Sequence, residues 1–210
     1  MTGLAACASP RVWLRAESGS VLDVPVERWF SPADDVEHAA LARATGPVLD
    51  VGCGPGRHLV ALHQRGVFAL GIDISPPLLD TARRLGMNVL ERSVFGRIPG
   101  AGRWATVLLF DGNVGIGGDP VALLGRLVTL LRPGGRIIAE SEPDDGPARV
   151  VRVRAESAAG AGPWFPWTTV GPARLEAVVA GAGLHVRSCW TAGGRRFAEI
   201  TTAPSGGAGA

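Results

Sequence analysis

Val48-Leu49-Asp50-Val51-Gly52-Cys53-Gly54-Pro55-Gly56-Arg57 decides the fold of this chain. It reads as the end of an apolar strand, an acid, three glycines at alternate positions and the start of a helix. Each glycine removes a side chain that would hold a ligand off the backbone, and each tolerates positive φ in a tight turn. The spacing is Asp-x-Gly-x-Gly-x-Gly. The dinucleotide fingerprint Gly-x-Gly-x-x-Gly is not met, because Arg57 stands where its third glycine would fall.

On either side of this loop, strands and helices alternate. Val48 to Val51 reads as a strand, and Arg57 to Arg65 as a helix stopped by Gly66. Val67 to Ile72 is an apolar run suited to a buried parallel strand. Ser75-Pro76 is a helix start, with Ser75 as its cap and Gly86 as its end. Strands follow at Asn88 to Glu91 and Trp104 to Phe110. Asp119-Pro120 opens a helix, with Asp119 as its cap, that closes near Leu131, before Pro133-Gly134-Gly135, and Arg136 to Glu140 is the next strand. This order predicts an α/β fold, a doubly wound, mostly parallel seven-stranded sheet with helices on both faces. Pro172 to Ala182 reads as a helix, and Leu184 to Trp190 with Arg196 to Thr201 as a C-terminal antiparallel strand pair turning at Gly193-Gly194.

The flanks are less regular. Val12 to Ala16 and Ser20 to Val24 suggest a small hairpin around Ser18-Gly19. Ser31-Pro32-Ala33-Asp34-Asp35 reads as a helix start capped by Ser31, the helix running to about Ala44. Residues 141–170 break the rhythm, with a strand-like alternation over Arg149 to Arg154 and a Gly/Pro-rich stretch, Gly160 to Trp167, that reads as a loop. The organisation expected is an N-terminal extension and helix over 1–45, one domain over 46–202 with an insertion at 141–170, and a disordered tail over 203–210.

The 210 residues suffice for one α/β domain with a sizeable core, and a hydrophobic content of 46% excludes wholesale disorder. A net charge of +2 demands no nucleic-acid partner. Every Lys/Arg position is arginine, and tyrosine is absent; a GC-rich genome accounts for such usage. Cys7, Cys53 and Cys189 are odd in number and lack CxxC spacing, which argues against a disulfide framework or a zinc site and for a reducing cytoplasm. No signal peptide, membrane span or metal-ligand spacing is read, so neither a membrane nor a metal is expected.

The second informative element is Gly71-Ile72-Asp73-Ile74-Ser75. Asp73 ends a strand about 20 residues beyond the glycine loop, where an acid can accept both ribose hydroxyls of an adenosine. The alternative is an acid that only complements the next helix dipole. A third unusual stretch, Phe110 to Asp119, leaves the C-terminal end of a central strand, where open α/β sheets place their ligands. Asp111 is a candidate general base and Asn113 a candidate substrate contact; a glycine-rich turn in which both satisfy loop amides is the alternative.

Residues 46–140 resemble the core of the class I S-adenosylmethionine-dependent methyltransferases. The family's first motif matches Asp50, Gly52, Gly54 and Gly56, its ribose-binding acid matches Asp73, and its "LxPGG" matches Leu131 to Gly135. With the terminal strand pair, the resemblance covers roughly 46–201. The chain departs from the family where an acid is usual beside the adenine, having Glu91-Arg92-Ser93-Val94-Phe95, and where an aromatic–acid pair is usual, having Trp104-Ala105.

The resemblance implies S-adenosylmethionine as cofactor and S-adenosylhomocysteine as product. It implies cofactor contacts from the glycine loop including Cys53, from Asp73 and Ile74, from Ser93 and the Val94 backbone, and from Asp111. Phe95 would pack on the adenine. Asp50 is placed for the methionine ammonium and Arg57, with the loop amides, for its carboxylate. His58 either faces the transfer cleft or simply packs. Trp29, Phe30, Trp164, Phe165 and Trp167 fall where such enzymes carry substrate lids, although core packing is the ordinary fate of such residues. Glu140 and Glu142 are further candidates at a strand end. The function implied is methyl transfer to O, N or C of a small, apolar metabolite by a cytoplasmic monomer or homodimer. A cyclase-like enzyme on the same fold, a noncatalytic partner subunit and a nicotinamide-dependent enzyme are the alternatives, the last opposed by Arg57.

Overall fold

The apolar runs of the chain become the central strands of a seven-stranded sheet. The computed structural model describes residues 12–22, 26–143, 145–146, 150–158 and 160–202. In chain order the elements are β1 (Val12–Ala16), α1 (Val26–Trp29), α2 (Asp35–Leu41), β2 (Val48–Val51), α3 (Arg57–Gln64), β3 (Ala69–Asp73), α4 (Pro76–Arg84), β4 (Val89–Glu91) and β5 (Trp104–Leu109). A 3-10 turn over Asn113–Gly115 precedes α5 (Pro120–Val128), β6 (Leu131–Ser141), β7 (Val151–Ser157), β8 (Gly160–Ala161), β9 (Phe165–Trp167), α6 (Pro172–Gly181), β10 (Leu184–Ala192) and β11 (Arg195–Thr202). The large sheet runs β10-β11-β6-β5-β2-β3-β4. Its β6, β5, β2, β3 and β4 are parallel, and β11 joins β6 antiparallel. The doubly wound sheet and its closing antiparallel pair are therefore as the residue pattern predicts.

Strand parity divides the core into two layers. Leu49, Val51, Val107, Leu109, Ile137 and Ala139 pack with Leu123, Leu127 and Val179 of α5 and α6. Val48, Leu108, Phe110 and Ile138 pack with Leu41, Leu59 and Leu79 of α2, α3 and α4. Side chains alternate along a strand, so Asp50 shares the parity of Val48 and faces α3.

Three local readings are corrected. The helix before β2 begins at Asp35, and its cap is Asp34, not Ser31. Asp34 Oδ1 accepts from Glu37 N at 2.8 Å and Glu37 Oε2 accepts from Asp34 N at 3.0 Å. This reciprocal pair satisfies two end amides where a serine alone would satisfy one. Ser75 stands at the N-cap of α4, but its hydroxyl makes no capping bond and is buried with no hydrogen-bond partner among the described residues. The Pro133-Gly134-Gly135 segment does not precede a strand but lies within β6, as an irregularity between the Trp104↔Leu131 and Thr106↔Arg136 pairs. Asp119 does cap α5, accepting from Ala122 N at 3.0 Å.

The flanks form a second sheet that the residue pattern does not predict. β1 pairs antiparallel with β7, and β7 also pairs with β8 and β9. The Gly160–Trp167 stretch, read as a loop, thus contains two short strands. The predicted hairpin partner of β1 reduces to one bridge, Arg15↔Val21, and Asp23 and Val24 lie outside the described residues, as do Cys7, Arg149 and the 203–210 tail. Val12, Leu14, Val26, Leu78 and Ala155 form a small core under this sheet. Among the described residues no helix is long and apolar enough to cross a membrane.

The small sheet docks on the glycine-rich segment after β5. Gly117 N donates to Pro166 O, Thr168 N to Gly115 O, and the Trp167 indole to Gly112 O at 3.1 Å. Gly115 is required by this approach, because a Cβ there would overlap the Thr168 carbonyl. Gly115→Ala should therefore cost at least about 2 kcal/mol of stability, by overpacking and loss of docking. Gly125→Ala, in α5 with open space around it, should instead stabilise by about 0.5–1 kcal/mol. Urea unfolding of the two variants checks both signs.

Candidate functional site

A cavity of about 810 Å³ lies at the C-terminal ends of β2, β3, β5 and β6, between the two sheets. That size falls in the range of small-molecule sites. One wall is the glycine loop (Val51, Gly52, Cys53, Gly54), with Asp73 and Ile74 after β3 and Ser93, Val94 and Phe95 after β4. The floor carries Asp111, Asn113, Glu140 and Glu142. The far wall is apolar, with Leu14, Trp29, Leu78, Ala155, Phe165 and Trp167 from the small sheet and its surroundings.

Asp73 is held by backbone. Its Oδ2 accepts from Gly54 N at 2.9 Å and its Oδ1 from Ser75 N at 2.8 Å. Burial raises its pKa, opposed by these amides, with the Asp50 carboxylate adding to the rise. A carboxylate accepts about four hydrogen bonds, so two amides leave capacity on each oxygen for a diol. The other glycine-loop amides are consumed internally: Gly52 N and Cys53 N donate to Ile72 O, and Gly56 N to Cys53 O. Of the loop and helix N-terminus expected to face a carboxylate, the first turn of α3 begins at Arg57, which lines the cavity. Asn113 Nδ2 pins the loop by donating to Val51 O at 2.9 Å and Gly52 O at 3.0 Å, and a Cβ on Gly52 would collide with that amide. Cys53 is buried against Gly71; burial, with the Asp50 and Asp73 charges, holds its thiol protonated well above the usual range.

Five expected site residues do not line the cavity among the described residues: Asp50, Gly56, His58, Phe30 and Trp164. Gly56 lies against Ala82 of α4, and Phe30 packs under the small sheet. Trp164 is stacked under the Arg154 guanidinium at 4.5 Å. Asp50 and His58 face each other beneath the floor, Nδ1 of the ring 3.6 Å from Oδ2.

They belong to a buried charge cluster. Arg57 Nη2 donates to Glu37 Oε1 at 2.7 Å and to Asp111 Oδ2 at 2.6 Å. Arg195 grips Glu140 through Nε at 2.6 Å and Nη2 at 2.7 Å, and reaches Glu37 Oε1 through Nη1 at 3.1 Å. Arg28 Nη2 adds a third guanidinium on Glu37 Oε1 at 2.9 Å. Burial works against the Glu37 charge, but His58 and Arg57 outweigh it and hold this carboxyl far below its usual range. Burial likewise opposes the Arg195 charge, and Glu140 and Glu37 raise its pKa above the usual value. Glu37 and Arg195 escape the sequence reading. The only signal for Glu37 is its capping spacing from Asp34, and Arg195 follows a hairpin turn without any motif.

Asp111 is the only non-glycine residue with positive φ among the described residues, at 55°. Its N–H donates to Glu140 Oε2 at 2.9 Å. A left-handed residue at a cavity floor stores strain that its partners must hold.

Two arrangements compete at His58 Nε2: accepting from Arg57 Nε at 3.1 Å requires a bare Nε2, whereas facing Glu37 Oε1 at 3.5 Å as a donor, with Nδ1–H towards Asp50, makes the ring imidazolium. The charges decide. The ring stands between the Asp50 and Glu37 carboxylates, with Asp111 close by, and these favour a charged His58. Burial disfavours that charge, but the Asp50 and Glu37 carboxylates outweigh it and raise the ring pKa to about 9. The group titrates near 6.5 when unfolded, so its contribution is complete below that pH and is lost as pH rises through the folded value. Between pH 6 and pH 8, before thiols of the unfolded chain ionise, stability should fall by about 2 kcal/mol from this group. Urea midpoints across that window check it: His58→Gln should abolish most of the slope.

Comparison with known proteins bears on this geometry. A family model described as a methyltransferase domain matches residues 48–135. A ubiquinone biosynthesis O-methyltransferase of Methylococcus capsulatus is 29% identical over 132 residues, 52% of this chain and 54% of that protein. The chain thus spans about half the length of this curated relative. The crystal structure of a SAM-dependent methyltransferase from Bacteroides fragilis, in complex with S-adenosyl-L-homocysteine, superposes with a TM-score of 0.76 at 26% identity, covering 93% of this chain and 90% of that one. The 1,6-didemethyltoxoflavin-N1-methyltransferase of Burkholderia thailandensis shares the fold at a TM-score of 0.57 and 21% identity, covering 79% of this chain and 74% of that one. With its glycine loop, its Asp73 and a sheet shared almost end to end with a structure holding S-adenosylhomocysteine, this chain is similar to the S-adenosylmethionine-dependent methyltransferases, and residues 48–135 match their domain.

Proposed function

We propose that this protein transfers a methyl group from S-adenosylmethionine to an O, N or C atom of a small, largely apolar molecule held between its two sheets. The observation that carries the reading is the continuity of the cavity, from the Asp73 wall past Asp111 to the Trp29, Phe165 and Trp167 wall. In this reading 46–202 is the cofactor-binding domain, 141–170 its substrate-side insertion, and the N-terminal 1–45 segment part of the lid.

The donor set fits the cofactor. Asp73 accepts the ribose hydroxyls on lone pairs that Gly54 and Ser75 leave open. Ile74, Ser93, Val94 and Phe95 bound a slot for the adenine. The first turn of α3 and the Arg57 guanidinium supply positive potential for a carboxylate. Asp50, which does not line the cavity, faces His58 behind the loop, its Oδ2 3.6 Å from Nδ1. The chemistry supplied by the bound cofactor is an electrophilic methyl for in-line displacement. The chain's task is then alignment and exclusion of water. Asp111 orients the hydrogen of an incoming hydroxyl or amine, and the aromatic wall keeps the transfer point dry. The relatives are consistent with this, one being named for an O-methyltransfer and one holding a small heterocycle. The two described cysteines, Cys53 and Cys189, are free, which suits the cytoplasm.

Calorimetric titration tests the reading. Wild-type protein should bind S-adenosylmethionine and S-adenosylhomocysteine with micromolar affinity and ignore NAD. Asp73→Ala should weaken both by about 10–100-fold, the loss of hydrogen bonds to a charged acceptor. No binding of either ligand by demonstrably folded wild-type protein refutes the proposal.

A further inference from the structure

Glu37 does more than its position requires. As the third residue of α2 it completes a capping box through Oε2 alone. A capping box asks one oxygen of its acid to accept one backbone N–H. Glu37 is only 1% exposed, and its second oxygen collects the guanidiniums of Arg57, Arg28 and Arg195. A helix cap needs none of these, and burying the carboxylate would be costly without them.

Both routes out of Glu37 converge on one turn. Arg57 Nη2, held by Glu37 Oε1, is also the donor to both Asp111 oxygens, at 2.8 and 2.6 Å. Arg195, held by the same oxygen, grips both Glu140 oxygens, and Glu140 Oε2 accepts the Asp111 N–H. The left-handed Asp111 is thus fixed through its carboxylate by one arginine and through its backbone by the other. Each arginine carries several donors in a rigid fork, so fixing one arm orients the rest. Glu37 itself does not line the cavity among the described residues, whereas Asp111 does.

We infer that Glu37 is a positioning residue: from outside the cavity, it sets the Asp111 turn at the transfer point through Arg57 and Arg195. The functional part of this inference rests on the proposed methyltransferase reading; the mechanical part does not. Glu37 also makes the α2 segment part of the site without contributing a ligand contact.

The test has a ligand-free arm and a ligand arm. Amide hydrogen exchange in wild-type protein, Glu37→Gln and Glu37→Asp reads the turn directly. Glu37→Gln keeps the shape and removes the charge; the Asp111 and Asn113 amides should exchange at least about tenfold faster, a loosening of about 1.4 kcal/mol, while those of β2 and β5 stay unchanged. Glu37→Asp, which keeps the charge, should restore part of the protection. Arg195→Gln cuts the second route nearer the surface and should also accelerate the Asp111 amide, which covers the case of a Glu37→Gln protein that does not fold. In the ligand arm, Glu37→Gln should weaken S-adenosylhomocysteine binding about tenfold in the wild-type background and have no further effect on Asp111→Asn. Unchanged exchange at 111–113 in both Glu37→Gln and Arg195→Gln overturns the inference. An equal loss of affinity with and without Asp111 overturns it too, since Glu37 would then act by another path. If wild-type protein binds no S-adenosylhomocysteine, the functional reading falls, and the exchange arm alone decides whether Glu37 positions the turn.

Discussion

The site of this protein depends on a carboxylate–guanidinium cluster buried under the C-terminal edge of its large sheet. Isolated, each of these charges would be expelled or neutralised, since desolvating an ion in a protein interior costs several kcal/mol. Here the Glu37, Asp111 and Glu140 carboxylates are hydrogen-bonded to Arg28, Arg57 and Arg195 at 2.6 to 3.1 Å, while Asp50 faces the His58 ring at 3.6 Å. Its members come from five separated places: α1 and α2, β2 with the start of α3, the end of β5, the end of β6, and the start of β11. A well-packed apolar cluster could give equal stability. It could not give direction, because guanidinium forks specify where each partner lies. The cluster therefore fixes the orientation of the loops rather than merely holding them together.

How much of this is legible in the sequence follows from how local each feature is. The glycine loop, Asp73 and the parallel strands are visible because each is a short run with its own spacing. Asp50 shows how parity sharpens such a reading. Alternation from Val48 sends its side chain to the α3 face, and that can be read from four consecutive residues. Ser31 and Asp34 are both plausible caps, and the Glu37 three residues after Asp34 was the distinguishing signal. The second sheet was not legible. β1 and β7 lie about 140 residues apart, and neither run specifies a partner. Arg195 was invisible for the same reason, because its meaning lies in Glu37 and Glu140, both remote in sequence.

The glycines after β5 show how a correct observation can carry the wrong reason. Their density suggested a polar turn beside a ligand. In the structure much of it serves the docking of β9. Gly115 admits the Thr168 carbonyl, and the Gly112 carbonyl receives the Trp167 indole. The segment is therefore a seat for the small sheet as well as the carrier of Asp111 and Asn113. One short stretch contacts the small sheet, pins the glycine loop and carries part of the floor.

This arrangement separates what the two sheets do. The large sheet, built from local strand–helix units, holds Asp73 and the glycine loop in a geometry that its own hydrogen bonds specify. The small sheet, assembled from the N-terminal segment and the stretch after β6, supplies most of the apolar wall that an acceptor would meet. Substitutions at Leu14, Trp29 or Phe165 can reshape that wall without touching the Asp73 bonds, because no hydrogen bond recorded for Asp73 comes from the small sheet. The two meet where β9 seats on the segment after β5, while the charge cluster reaches from α2 to Asp111 on the floor. On the proposed reading, the wall that meets an acceptor can vary on one side of the cavity while the Asp73 side is left unchanged.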